Sequence, residues 1–275
     1  MSFRMLRAAV PALGLAVAVA VAVSVAGCAA GDGSAASRSS APQADAAPTT
    51  LTVFAAASLT EAFDALAADF EAEHPAIDVS LSYGGSAALA QQIVEGAPVD
   101  VFASAAEPPM AVVVEAGLAD DPVVFATNTL ELVTPAGNPA GITGLADLAD
   151  PDLRIALCDP TVPCGAASDA LLGQEGVTAS PDTLESDVKS VLTKVVLGEV
   201  DAALVYRTDA RAAGDAVVGI EVPGAASVVN RYPIAAVGAA ADPDAGRGEA
   251  AADFVAFVTG EAGQVVLADA GFGAP

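Results

Sequence analysis

Apolar positions along this chain recur with two periods, and the junctions between the periods repeat one form. An unbroken apolar run from Leu51 to Ala57 reads as a buried strand, and Phe63, Leu66 and Phe70 then recur at the spacing of one helix face. Between the two, Ser58 and Glu61 have the S-x-x-E spacing of a capping box. A strand therefore hands a serine hydroxyl to a helix start, where free N–H groups and the helix dipole favour an anion. Ile77, Val79, Leu81 and Tyr83 alternate as a second strand, Gly84-Gly85-Ser86 breaks it, and Ala87 to Glu95 reads as a helix. Here too a serine stands where a strand ends and a helix begins, beside two glycines that give the backbone room for close approach.

The alternation continues. Val99 to Ala103 reads as a strand and Glu107 to Ala116 as a helix with Pro108 and Pro109 in its first turn, followed by strands at Val123–Ala126 and Thr129–Thr134. Thr143 caps a short helix over Gly144–Ala149. Leu153–Leu157 is a strand, and the segment Cys158 to Cys164 leads through Gly165 into a helix ending near Leu172. Val188, Val191, Leu192, Val195 and Val196 give the helix Asp187–Leu197 one apolar side. Ala202–Tyr206 is a strand and Thr208–Ala213 a helix. Strands at Val217–Val222 and Ser227–Val237 precede closing helices at Gly248–Val258 and Glu261–Ala270. Strands alternating with helices predict an α/β fold with mainly parallel sheets covered on both faces. Ligands in such folds sit beyond the carboxyl ends of the strands, which is where Ser58, Ser86 and the residues after Leu157 fall.

The N-terminus breaks this pattern. Arg4 and Arg7 precede an apolar run, Ala8 to Ala26, that ends in Val25-Ala26-Gly27-Cys28 and resembles the lipobox of bacterial lipoproteins. Residues 1–27 then form a signal peptide, Cys28 carries the lipid, and residues 28–49, rich in Ala, Ser, Gly, Asp and Pro, form a flexible tether. The expected location is outside the cytoplasm, anchored to the cell membrane. In that oxidising compartment Cys158 and Cys164 are the remaining pair, which predicts a disulfide. A two-cysteine metal site lacks partners, since the single histidine, His74, lies far off in sequence at a helix end and reads as a surface residue without a role.

Composition narrows the function. Of 275 residues 54% are hydrophobic but only 4% aromatic, with no Trp, so the cores must be aliphatic. A net charge of −25, from 10 basic and 35 acidic residues, excludes nucleic acid as a partner. With one histidine a serine triad is untenable, and no H-E-x-x-H, G-x-S-x-G or P-loop motif occurs. Carboxylate pairs are plentiful, which leaves a secreted carboxylate-dependent hydrolase as the reading from the enzyme class.

Three sets of motifs decide for binding. Val53-Phe54-Ala55-Ala56-Ala57-Ser58-Leu59-Thr60, Ser86 with Leu89-Ala90-Gln91-Gln92-Ile93, and Gly96-Ala97-Pro98-Val99-Asp100-Val101-Phe102 look like the molybdate-binding proteins of ABC importers. Asp159-Pro160, Val162-Pro163-Cys164-Gly165, Asp187-Val188 and Leu204-Val205-Tyr206-Arg207-Thr208-Asp209-Ala210 match in the same order. The resemblance runs from about Leu51 to the C-terminus. It implies a two-lobed, type II periplasmic-binding-protein-like fold. Lobe I would span residues 50–131 and 233–275 and lobe II residues 132–232, with crossings near Glu131–Thr134 and Val229–Pro233.

The resemblance also implies an oxyanion held by Ser58, Ser86, the main-chain N–H groups of Cys164 and Val188, and the Tyr206 hydroxyl. Cys164 departs from the small alanine common at its position, but only its N–H is implicated. The ligand would be molybdate or tungstate, with sulfate or another small oxyanion as the alternative. The protein would be a non-enzymatic monomer without a cofactor that delivers its anion to an ABC permease. None of these five positions offers the carboxylate that a protonated phosphate would want as an acceptor.

Overall fold

The computed structural model describes residues 48–241 and 247–275. The expected signal segment, the lipidation site Cys28 and the tether up to residue 47 lie outside the described residues. In chain order the elements begin with β1 (Thr49–Ala56), a 3-10 turn (Ala57–Leu59), α1 (Thr60–Glu73), β2 (Ile77–Gly84), α2 (Ser86–Val94), β3 (Val101–Ala103), α3 (Glu107–Glu115) and β4 (Val123–Asn128). Then come β5 (Leu130–Pro135), β6 (Ile155–Cys158), α4 (Pro163–Glu175), β7 (Thr183–Glu185), α5 (Val188–Val196), β8 (Ala202–Tyr206), α6 (Arg207–Ala213) and β9 (Val217–Ile220). The chain closes with β10 (Asn230–Ala236), α7 (Gly248–Thr259) and α8 (Glu261–Ala270).

The strands form two five-stranded sheets, ordered β2-β1-β3-β10-β4 and β7-β6-β8-β5-β9, and each sheet with its helices makes one lobe. In each sheet one strand runs against the others: β10 is antiparallel to β3 and β4, and β5 to β8 and β9. The direction follows from the connectivity. The parallel strands of a lobe point their carboxyl ends at the cleft, so a chain entering from the other lobe starts at the cleft and must run away from it. Both strands reached by a crossing, β5 and β10, obey this.

The passages fall earlier than the sequence suggested. The chain leaves the first sheet at Asn128 and enters the second at Leu130, so the expected crossing at Glu131–Thr134 lies inside β5. The return is made between Ile220 and Asn230, and the expected lobe boundary at residues 232/233 cuts β10. A continuous alternation of apolar residues hides where a strand changes sheet. The edge strand β7, whose Leu184 is exposed, carried no apolar pattern and was not anticipated.

Burial separates the lobes by composition. In the first, Leu51, Val53 and Ala55 of β1 are fully buried beneath an aromatic cluster. Phe63 packs edge-on against Phe125 and Phe254, and Phe70 against Phe254 and Phe257. His74 stacks on Phe70, ring centroids 4.2 Å apart, which ties the histidine to the end of α1 rather than leaving it on open surface. On the other face of this sheet Leu89, Ile93, Met110 and Val113 pack around Phe102. The second lobe is almost wholly aliphatic, built on Leu132, Ile155, Leu171, Val191, Val195 and Leu204.

Candidate functional site

Where the lobes meet, Ser58, Ser86, Cys164, Val188 and Tyr206 line one small cavity together with Gly85, Ala105, Ser186 and Asp187. Its volume is about 20 Å³, room for one small group rather than an extended substrate. The lobes approach closely here: a Cβ on Gly85 would stand 2.3 Å from the carbonyl oxygen of Ser186 across the cleft. A larger cavity beside it, about 480 Å³, is lined mainly by alanine, proline and valine of α2, α3, α4 and the strap Val228–Arg231.

Each of the five residues stands at a helix start. Ser58 is in the 3-10 turn before α1, Ser86 is the first residue of α2, and Val188 is the first of α5. Cys164 is second in α4, after Pro163, which has no N–H to offer, and Tyr206 is the residue before α6. First-turn N–H groups have no partner within their own helix, and their partial positive charge converges on the cavity. No lysine or arginine is among the cavity's lining residues.

The expected capping box at Ser58 is not formed. Leu59 precedes α1 without a side-chain cap, the Ser58 hydroxyl lies 3.0 Å from the Tyr232 hydroxyl, and Glu61 turns to Lys189 of the other lobe. The 3-10 turn moves Ser58 off the helix axis and into the cleft, out of reach of the N–H groups it was expected to cap. Thr143 likewise does not cap its helix; its N–H and hydroxyl donate to Asp147.

Ser58, Ser86, Ser186 and Tyr206 bring hydroxyls to the cavity lining, and behind two of them an N–H group donates to the hydroxyl. Ala105 N–H donates to Ser86 Oγ at 3.0 Å, and Asn230 Nδ2 donates to the Tyr206 hydroxyl at 2.9 Å. Asn128 Nδ2 approaches the Tyr232 hydroxyl at 3.5 Å, and Tyr232 in turn meets Ser58. A hydroxyl whose lone pair is already occupied from behind turns its proton forward, toward an acceptor in the cavity. Burial first, then the neighbouring Tyr232 and Asp209, pushes the Tyr206 hydroxyl well above its ordinary pKa, so it stays a donor. Burial raises Tyr232 in the same way.

Asp187 is a lining carboxylate that the sequence did not single out. Its oxygens are engaged by the Ser190 N–H and hydroxyl, each at 2.9 Å, so it caps α5. Cys158 and Cys164 are joined in a disulfide with Cα atoms 5.7 Å apart, which ties the end of β6 to the start of α4. Gly165 is required beside it, since a Cβ there would fall 1.9 Å from the Asp159 carbonyl oxygen. Asn128, Asn230 and Tyr232 escaped the sequence reading. The one signal available was polar residues within the otherwise apolar strands β4 and β10. Elsewhere, Glu131 and Glu221 line a separate cavity of about 430 Å³ with Arg207. Burial raises the Glu131 carboxyl, and Arg207 opposes the rise.

Residues 51–273 match the model of a family described as bacterial extracellular solute-binding protein. The chain is 42% identical over 226 residues to the molybdate-binding protein of Mycobacterium tuberculosis strain H37Rv, covering 82% of this chain and 85% of that one. Among solved structures, it is similar to the substrate-binding domain of a putative molybdenum ABC transporter from Clostridium difficile. That match has 27% identity and a TM-score of 0.59, over 82% of this chain and 99% of that one. The sulfate-binding protein SubI of Mycobacterium tuberculosis matches at a TM-score of 0.69 and 23% identity, over 82% and 86% of the two chains, a likeness of fold alone.

Proposed function

This chain belongs to the family of bacterial extracellular solute-binding proteins, and we propose that it captures molybdate, and tungstate with it, for an ABC importer. The anion is gripped between the lobes outside the cytoplasm and delivered to the permease. The observation that carries this reading is the convergence of helix starts and forward-turned hydroxyls on one small cavity without a cationic side chain. A doubly charged tetrahedral oxyanion left unpaired in such a place would cost several kcal/mol. Ser58 and Ser86 with their N–H groups, the N–H groups of Cys164 and Val188, and the Tyr206 hydroxyl supply its donors.

Neutral donors select by geometry and size, so molybdate is preferred over sulfate while tungstate is hard to exclude. Phosphate is disfavoured, because it carries a proton near neutral pH and the lining carboxylate, Asp187, is already engaged by Ser190. That engagement also speaks against a carboxylate-dependent hydrolase, which needs two available carboxylates around its substrate. We read the protein as a monomeric binding protein without catalytic activity or cofactor, held to the membrane by a lipid on Cys28. Isothermal titration with molybdate, tungstate, sulfate and phosphate tests the ligand. Molybdate and tungstate should saturate one site at concentrations where sulfate and phosphate give no heat. Tighter binding of sulfate would overturn the assignment.

A further inference from the structure

Lys189, in the first turn of α5 just after Val188, joins two carboxylates, one of them across the cleft. Its Nζ lies 2.7 Å from both carboxylate oxygens of Glu61, in the first turn of α1 in the other lobe. The same Nζ lies 3.0 Å from Oδ1 of Asp209, in the first turn of α6. Exposure rises along this row: the Asp209 side chain is 0% exposed, Lys189 24% and Glu61 54%. Asp209 Oδ2 also accepts from the Tyr206 N–H at 3.3 Å, so this carboxylate holds the backbone of a residue that lines the anion cavity.

The two ionic contacts differ in kind. Lys189 and Asp209 belong to one lobe and stay together whatever the cleft does, whereas Lys189 and Glu61 meet only when the lobes are closed. Asp209 sits behind the cavity, and its charge reaches the hydroxyls of both Tyr206 and Tyr232. A buried carboxylate so placed would repel a dianion unless a cation stood beside it.

We infer that Lys189 is a positioning residue for anion capture, neutralising Asp209 behind the site and clasping Glu61 to hold the lobes shut. The inference rests on the anion-binding reading for its purpose, though not for its geometry. An open cleft leaves Lys189 paired with Asp209 alone. Closure adds the Glu61 contact at the exposed end of the row, where Glu61 is 54% exposed, which makes the clasp readily screened by salt.

The test separates the clasp from the ligand. Spin labels at Val112→Cys on α3 and Leu197→Cys beyond α5, both exposed positions, report the interlobe distance in a Cys28→Ser background without added anion. Glu61→Gln should shift the population toward open, high salt should do the same to the unsubstituted pair, and Lys189→Arg should leave the distribution as in the unsubstituted protein. Glu61→Gln does not disturb Asp209, so its fold is preserved; Lys189→Met should open the cleft and also lower stability. Distance distributions that are identical with and without Glu61→Gln overturn the clasp. Molybdate titration of the same proteins judges the underlying reading independently: Glu61→Gln should weaken binding about two- to fivefold, as for a partly exposed ion pair. Absence of molybdate binding by the unsubstituted protein would overturn the ligand assignment and leave the distances to decide the clasp.

Discussion

The Ser58 hydroxyl has exchanged the usual task of a serine at a helix start for a contact with Tyr232. Ser58→Ala should therefore weaken molybdate binding more than it lowers the unliganded melting temperature. A loss of ~1.5–3 kcal/mol in affinity is expected for a donor to a charged acceptor. Tyr206→Phe should cost a similar amount, and Asn230 Nδ2, which also donates to the Ala105 carbonyl at 3.0 Å, keeps a partner in that variant. Equal affinities for either variant and wild type in calorimetry would remove that hydroxyl from the site. Asp209 supplies a pH signature. Burial pushes its carboxyl up to about 6, with Lys189 restraining the rise. Because the folded pKa lies above the unfolded value, Asp209 contributes stability that is full below about pH 4 and lost as pH rises through about 6. Chemical denaturation of wild type against Asp209→Asn should show wild type losing up to about 3 kcal/mol relative to the variant across that window. At this scale the pattern itself marked Ser58 and Ser86, where a strand hands a serine to a helix start, while Tyr206 entered only through the family resemblance. The sequence was silent on Asn128, Asn230 and Tyr232, whose roles depend on which strands become neighbours.

Helix starts are the elements that build the site, and their sequence marks were uneven. Asp187 capped α5 as a helix-start carboxylate should, but α4 begins at Pro163, inside the segment read as leading up to the helix, and the S-x-x-E spacing at Ser58 misled because the 3-10 turn intervened. Local spacing reports what a side chain can reach within its own helix, and a partner from a distant strand overrides it. The loop before α2 makes a sharper demand. Gly85 has an ordinary backbone conformation, φ −64°, so its glycine is required by the approach of Ser186 from the other lobe rather than by local strain. Gly85→Ala should leave the open, unliganded protein as stable as wild type while weakening molybdate binding at least tenfold, because the methyl group obstructs closure. A matching fall in unliganded melting temperature would place the requirement inside one lobe instead.

For the molecule as a whole, an anion gripped from both sides binds the closed form more tightly than the open one, and that difference in affinity drives closure. Small-angle scattering should show a smaller radius of gyration at saturating molybdate; an unchanged radius would contradict the clamp. The net charge of −25 acts on arrival rather than on grip. It repels a dianion at long range, so the association rate measured by stopped flow should rise with ionic strength while the dissociation rate changes less. The α/β class was legible because strand and helix periods alternate so regularly, whereas the two lobes came only with the family resemblance. The crossing points were not legible, because β5 and β10 look like any other buried strand until their pairing is known.

The placement of β10 between β3 and β4 also bears on how the chain comes to be folded. The first sheet takes four strands from the N-terminal part of the chain and one from beyond the second lobe. Without β10, strands β3 and β4 present bare hydrogen-bonding edges, and pairing them requires closure of a loop that spans the whole second lobe. The second sheet draws all its strands from one continuous stretch, Leu130 to Ile220. During vectorial delivery from the N-terminus the later-made lobe is thus the first that can be completed, and the earlier-made lobe waits, with open edges, for the C-terminal segment to arrive.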